Sequence, residues 1–421
     1  MSRPKALVVI VGVLAGLILS AGLVGAGVAI GQALPALNLG DSAILPTLPA
    51  IGSPAQDAEP SPSATPIDTD ELFAPFWDAW RIVHEDYVDQ VNDIELMRGA
   101  IRGMLEALGD PHTGYMDPDE FQQANIPLEG TYEGIGAWVD SEADYLTIIA
   151  PMPDSPAEEA GLEPGDEIIA VDGEDMTGLE GNQVIRRVMG PAGSTVTLTI
   201  RRESESEPFD VDVTRREIEV PSVESELRDD GIAYVRLYNF GEDTTRDLRS
   251  ALEELMAQDP TGLILDLRGN GGGYLGSAVN VSSEFLDGGL VLTERFGDGS
   301  EQTYEARDGG LAANIPLAVL INGGSASASE IVAGAIQDRG RGLLVGETSF
   351  GKGSVQNWIP LAGDAGAVRV TIARWYTPNG RQIADEGLTP DVAVEMTEED
   401  IEAERDPQLA EAVRILLEGD S

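Results

Sequence analysis

The spacing of apolar residues changes several times along the chain. From Ala6 to Ile30 no charged residue interrupts the apolar run, about 25 residues where roughly 20 span a bilayer. Between Leu72 and Leu108 the apolar positions Phe76, Trp80, Val83 and Tyr87, then Met97, Ile101, Leu105 and Leu108, recur at three and four, which predicts two amphipathic helices. Residues 130–214 alternate short strand patterns (ADYLTIIA, DEIIAVDG and STVTLTIRR) with turns and one short helix around Val184 to Val188, as in a small β-rich module. Beyond Arg216, GIAYVRL, TGLILDL, GLVLTE, IPLAVLI and GLLVGE read as buried strands. Helical stretches near 243–258, 275–287 and 328–338 fall between them, so this part is an α/β domain. The last segment, TEEDIEAERDPQLAEAVRILLEG, opens on a threonine cap and ends in apolar residues and Gly419, which predicts one closing helix.

Charge and composition narrow the function. A net charge of −48, from 74 acids against 26 bases, repels phosphates and leaves no basic stripe, so nucleic acid is excluded as a partner. The absence of cysteine removes disulfides, thiol nucleophiles and thiolate metal sites together. Two histidines, His84 and His112, are too few for a zinc site built in the ordinary way, so neither metal nor cofactor is expected. His84 reads as a helix-surface or packing residue, and His112, in the turn sequence GDPHTGY, as structural. At the N-terminus, Arg3 and Lys5 precede the apolar run and mostly acids follow it, which puts the short end in the cytoplasm and the bulk outside the cell. Residues 32–66 are rich in Pro, Ser and Ala and read as an extended tether. The expected location is therefore the cell membrane, single-pass and extracytoplasmic. Cleavage near Ala26 or Ala33 is the alternative and would release a secreted protein.

The chemistry is signalled by a lysine. Of 26 basic residues only Lys5 and Lys352 are lysine. A buried ammonium can lose its proton and a guanidinium cannot, so Lys352 is a candidate base. Its surroundings, GETSFGKG, match the start of a phosphate loop, but Gly353 stands where Ser or Thr would hold magnesium and a strand pattern follows. Gly271, Gly273 and Gly276 have dinucleotide-loop spacing without the strand-closing context, and read better as a loop whose amides converge on an anion. In INGGSASASEIVAGAIQD a strand ends, glycines turn the chain and serines run into a helix. Ser327 and Glu330 have capping-box spacing, so Ser327 reads either as a cap or as a nucleophile. A nucleophile needs a base, and neither histidine lies in this domain. Lys352 lies there, 25 residues on and after the next strand, so the two can meet at one edge of the sheet.

The segments SASASEI and FGKGSVQ, with DLRGNGGG before them and RWYTPNGRQI after, resemble the C-terminal processing peptidases, or tail-specific proteases, across about residues 70–396. The resemblance implies Ser327 as nucleophile, Lys352 as its base and Gln356 as the assisting glutamine. It also implies an oxyanion hole from Gly271, Gly272 and the amide of Ala328, and Asp338 is read as structural. SPAEEAGLEPGDEIIAVDG, residues 155–173, resembles a PDZ domain, which this family inserts before its core. That implies a peptide added as a strand, its terminal carboxylate meeting amides around Gly134, Ile135 and Gly136. Two positions depart from the family pattern. Gly269 and Gly271 flank Asn270 where Asn-Pro is common, implying a looser loop, and Met189 replaces an arginine that in some relatives couples peptide binding to catalysis.

The expected organisation is multidomain α/β: cytoplasmic N-terminus and transmembrane helix 1–31, linker 32–66, helical segment 67–128, PDZ-like domain 129–214, Ser/Lys serine protease core 215–396 and C-terminal helix 397–421. The expected partners are protein or peptide substrates bound by their C-termini and the membrane, with homo-oligomerisation left open. The alternatives are a catalytically silent PDZ scaffold and a P-loop-like nucleotide-binding protein.

Overall fold

The computed structural model describes residues 68–419 apart from 142 and 404. The expected membrane run and tether lie outside the described residues, and no helix among the described residues is long and apolar enough to cross a membrane. Two compact units divide at residues 103 and 104. The smaller holds α1 (Thr69–Asp86) and most of α2 (Asp93–Glu106), the two helices expected from the periodicity. Asp68 caps α1 by accepting the amides of Asp70 and Glu71. His84 lies between the Trp80 carbonyl, 2.7 Å from Nδ1, and Asp93, 2.6 Å from Nε2, and these bonds raise its pKa.

In the larger unit, the β-rich module is an antiparallel sheet of β3 (Ala137–Asp140), β4 (Leu146–Pro151), β5 (Glu167–Val171), β7 (Thr195–Arg201) and β8 (Phe209–Thr214), in that order, with β6 (Glu174–Asp175) beside β5. It closes over a core that includes Ile148, Ile168, Val184, Leu198 and Ile200. α4 (Pro156–Glu159) and α5 (Gly181–Val188) complete it, and its edge strands are β3 and β8. A two-stranded ribbon, β2 (Thr131–Gly134) against β9 (Arg216–Glu219), runs beside it. Before β2 comes α3 (Pro118–Glu129), a helix absent from the periodicity reading. Its signal is a capping box, with the Asp117 amide on Glu120 at 2.8 Å and the Glu120 amide on Asp117 at 2.9 Å.

The α/β domain is built on β10 (Val223–Leu227), β11 (Ile232–Leu237), β12 (Gly262–Asp266), β15 (Leu317–Ile321), β16 (Leu343–Gly346) and β19 (Val392–Ala393), parallel except for β10. β12 and β15 are buried throughout, as strands covered on both faces must be. Alternate residues face opposite ways. Leu263, Leu265, Val319 and Ile321 pack with α6 (Thr244–Met256), α7 (Leu275–Phe285) and α8 (Ala328–Asp338), whereas Ile264, Ala318 and Leu320 pack with Ala412, Ile415 and Leu416 of α10 (Pro407–Glu418).

Two expectations change. GLVLTE falls in β13 (Gly289–Phe296), which belongs to a separate antiparallel sheet with β14 (Glu301–Ala306), β18 (Ala367–Tyr376), β1 (Gly114–Met116) and β17 (Ser354–Pro360). Thr293, Glu294 and Arg295 spoil the unbroken apolar run that an interior parallel strand requires. The closing segment is two helices, α9 (Glu398–Glu402) and α10, because Asp406 caps the Leu409 amide at 2.9 Å and Pro407 starts a new first turn.

The end of β12 is fixed by charge. Asp266 is fully buried and accepts the Arg268 side chain on both oxygens, with Nη2 at 2.6 Å, and the Tyr234 hydroxyl at 2.8 Å. Arg268 continues to Asp406 at 2.9 Å and 3.0 Å and to Gln408 at 3.1 Å, stapling the sheet to the start of α10. Burial alone pushes the Asp266 carboxyl up, but the Arg268 charge and hydrogen bonds outweigh it and hold the pKa below the usual carboxylate value. Its stabilisation is accordingly present above the unfolded-state carboxyl pKa and lost as pH falls through the lower folded value. Asp266→Asn should lower unfolding free energy by about 3–5 kcal/mol, because it leaves a buried guanidinium uncompensated. Urea denaturation checks this, and Arg268→Lys should not restore wild-type stability, because one ammonium cannot reproduce the fork.

Candidate active site

β15 and β16 are parallel neighbours, so the turns that follow them emerge at one sheet edge beside the glycine loop that follows β12. Asn322 and Asn270 shape that edge. Asn322 Oδ1 accepts the amides of Gly324 at 3.0 Å and Gly269 at 2.9 Å, bridging two of the turns. Asn270, almost fully buried, donates Nδ2 to the Leu237 carbonyl at 2.8 Å, and its own carbonyl receives the Ala326 amide at 3.0 Å and the Ser329 hydroxyl at 2.7 Å. The loop expected to be looser for lack of proline is pinned instead by these side-chain bonds.

The three serines separate by partner. Ser325 donates its hydroxyl to the Leu267 carbonyl at 2.8 Å and Ser329 to Asn270, so both are used to seat the turn. Ser327 stands at the first residue before α8 with φ 56° and ψ −113°. Among the described residues it is the one positive-φ residue that is neither glycine nor aspartate. Such strain persists only where the surroundings over-determine it, and it gathers at reactive sites. Ser327 lines a narrow cleft with Gly273, Leu275, Ala328, Ile331, Ser354, Val355, Gln356 and Trp375.

Glu330 binds the serine turn to the lysine turn. Its Oε2 accepts the amides of Ser327 at 2.8 Å and Lys352 at 3.0 Å, and its Oε1 accepts the Ser349 hydroxyl and the Gly351 amide, each at 2.6 Å. The residue that the sequence presents as half of a capping box is thus also the strut between the two turns. Burial pushes the Glu330 carboxyl up, and its four donors work against that rise. Lys352 is 5% exposed, and the Trp375 indole donates to its carbonyl at 2.8 Å. Burial, reinforced by the Arg369 charge and opposed by Glu330 and Asp110, lowers the Lys352 pKa to about 7. An amine in that state is a base at neutral pH.

Gln356 is buried on β17, where a register shift after Val355 re-aims the strand. It donates to Ser354 at 2.8 Å and to the Thr371 hydroxyl at 3.3 Å. The Gly272 backbone, at φ 106°, runs so close that a Cβ there would lie 2.8 Å from the Ser327 Cβ and 2.9 Å from the Ala328 nitrogen. Its own amide is donated to Asn270 Oδ1 at 2.9 Å. The Ala328 amide is in the first turn of α8, where backbone donors have no helical partner. Gly271 is half-buried beside them. Asp338 closes the far end of α8 by pairing with Arg381 and accepting the Asn379 amide at 2.8 Å.

Gly134, Ile135 and Gly136 lead directly into edge strand β3. The Ile135 and Gly136 carbonyls accept the amides of Ala157 at 2.8 Å and Met152 at 3.0 Å. The Tyr132 ring covers Gly134, where a Cβ would lie 2.7 Å from ring carbon Cε2. The amides of Ala137 and Gly136 bond its hydroxyl, while burial raises its pKa to about 12. Met189 and Tyr132 line a second, larger cleft with Arg186 and Glu133, and the buried Arg215 donates to the carbonyls of Val188 at 2.7 Å and Arg187 at 3.0 Å.

Comparison with known proteins gives the same picture at the level of the family. Residues 231–394 match peptidase family S41, 147–202 the PDZ domain and 53–120 the activating protease CtpB N-terminal domain. A carboxy-terminal-processing protease of Bartonella bacilliformis is 41% identical over 336 residues, covering 78% of this chain and 76% of its own. Carboxy-terminal processing protease CtpB of Bacillus subtilis is 35% identical over 347 residues, covering 81% and 72%. The solved structure of a photosystem II D1 C-terminal processing protease aligns with 30% identity and a TM-score of 0.48, over 83% of this chain and 93% of that one. With Ser327, Lys352 and Gln356 all inside the S41 region, and such identity sustained over three quarters of both chains, the chain belongs to the serine-type carboxy-terminal processing proteases of peptidase family S41.

Proposed function

We propose that this protease is anchored in the cell membrane by residues 6–30, with its bulk outside the cytoplasm, and cleaves proteins presented by their C-termini with a Ser327/Lys352 dyad. The observation that carries the dyad is the buried Lys352, with a pKa near 7, joined to the strained Ser327 turn through one carboxylate. Neutral Lys352 takes the Ser327 proton as Oγ attacks the scissile carbonyl, and the oxyanion forms against the amides of Ala328 and Gly271, the Gly272 amide being held by Asn270. Collapse breaks the C–N bond, and the amine leaves with the proton that Lys352 returns. Water, deprotonated by the same lysine, then releases the acyl group and regenerates Ser327. Gln356 orients the lysine from the β17 side.

The cleft beside Ser327 has a volume of about 10 Å³, room for roughly one water. Tail recognition is assigned to the open edge of β3, where a substrate end adds as a strand and its carboxylate replaces the Tyr132 hydroxyl at the Gly136 and Ala137 amides.

Lys352→Arg should lower kcat by roughly 10³-fold or more, because a guanidinium stays charged beside Arg369 and cannot take the serine proton. Ser327→Ala should do the same, whereas Ser325→Ala and Ser329→Ala should chiefly lower the melting temperature. Turnover and thermal unfolding measured together on the four variants check this, and a folded, active Ser327→Ala protein contradicts the dyad. In the wild type, kcat/KM should rise with pH through about 7 as Lys352 loses its proton, and a pH–rate profile reads that limb directly.

Amidating the C-terminus of a peptide substrate should raise KM by roughly tenfold or more, since the loop amides lose their anionic partner. Paired free-acid and amidated peptides test it, and equal rates would remove the loop from recognition.

A further inference from the structure

The turn formed by residues 109–113 precedes β1, which pairs with β18 in the register Gly114 to Arg369. It sets Asp110 against the β17–β18 hairpin from a part of the chain where the sequence shows nothing but a turn. Asp110 Oδ2 accepts the Thr113 hydroxyl at 2.6 Å and Oδ1 the His112 amide at 3.0 Å, and a further bond comes from the Thr371 side chain. The Thr371 hydroxyl in turn accepts Gln356 Nε2 at 3.3 Å, while its amide donates to the Thr113 hydroxyl at 3.1 Å. Gln356, Thr371, Asp110 and Thr113 form one continuous hydrogen-bonded chain.

The proposed reaction requires a counter-charge. When Lys352 takes the serine proton it becomes a buried ammonium near the Arg369 guanidinium, and two like charges away from water destabilise each other. The groups facing Lys352 are Arg369 from β18, Glu330 from α8, and Asp110 and His112 from the turn, with Asp385 acting on His112 from beyond β18. Glu330 is committed to four donors that hold the turns together. The donors on both carboxylates are uncharged, so both keep their negative charge for the cations, but Glu330 also ties the two turns together, whereas Asp110 can be replaced without breaking those bonds.

We propose that Asp110 is a positioning residue for the lysine base: held by the 109–113 turn and tied through Thr371 to Gln356, its carboxylate balances the ammonium that Lys352 becomes during acylation. This rests on the Ser327/Lys352 reading. The scarcity of lysine supplies a test that separates the two, because the full chain labelled with ¹³C-lysine has two lysine side chains to observe, Lys5 and Lys352. NMR titration of the detergent-solubilised wild type should show Lys352 changing protonation near pH 7. In Asp110→Asn its midpoint should fall, the acid limb of kcat/KM should move to lower pH with it, and kcat on the plateau should drop roughly tenfold, the equivalent of one pK unit. KM should stay within about twofold, and Asp110→Glu should recover part of kcat, since a carboxylate remains. If both midpoint and acid limb stay in place in folded Asp110→Asn, the role of Asp110 is overturned and the dyad stands. If wild-type Lys352 titrates as an ordinary lysine, the dyad itself fails. Should Asp110→Asn not fold, Thr371→Val serves instead: it frees the carboxylate from Gln356, and an unmoved Lys352 midpoint together with unchanged kcat would equally overturn the proposal.

Discussion

The candidate site depends on one buried carboxylate. Placing an acid where water cannot reach it is costly unless its oxygens are filled, and Glu330 fills them from two separate turns, one between β15 and α8 and one between β16 and β17. Either turn alone would leave a half-satisfied anion in the interior. The two are therefore stable together, and the backbone around Ser327 is positioned by the same atoms that position Lys352. Leu388, whose amide donates to Ser349 at 2.7 Å, extends the arrangement into the segment after β18.

The glycine loop plays a similar part on the other side of the serine. Gly272 is required by contact, since any side chain would displace the Ser327 turn, and Asn270 does through hydrogen bonds what a proline ring would do by restricting φ. The Gly272 amide is donated to Asn270 rather than to the cleft.

Strands such as LILD and LAVLI were legible because burial on both faces leaves an unbroken apolar run. GLVLTE lacked that run and belongs to another sheet, and the closing helix was broken by an Asp-Pro step that cap chemistry could have flagged. Within the site, Lys352 stood out by composition and Ser327 by its place between strand and helix, whereas Gln356 came only through the family resemblance. Glu330 was visible as a cap and not as a bridge. Asp110 was invisible, since the neighbours that matter to it lie on β17 and β18, more than half the chain away. Charge compensation depends on distance in space, and spacing along the sequence does not report it.

The backbone of Ser327 carries a cost of its own. A non-glycine residue at such angles costs on the order of 1–3 kcal/mol, and its hydrogen-bonded neighbours keep it from relaxing. Glycine would occupy the same angles without that penalty, so the most comfortable residue at this position is one with no hydroxyl. With Ser327 as the proposed nucleophile, the stability optimum and the catalytic optimum of this turn are different sequences, and a lineage selected for persistence alone would drift toward a well-folded protein that cuts nothing.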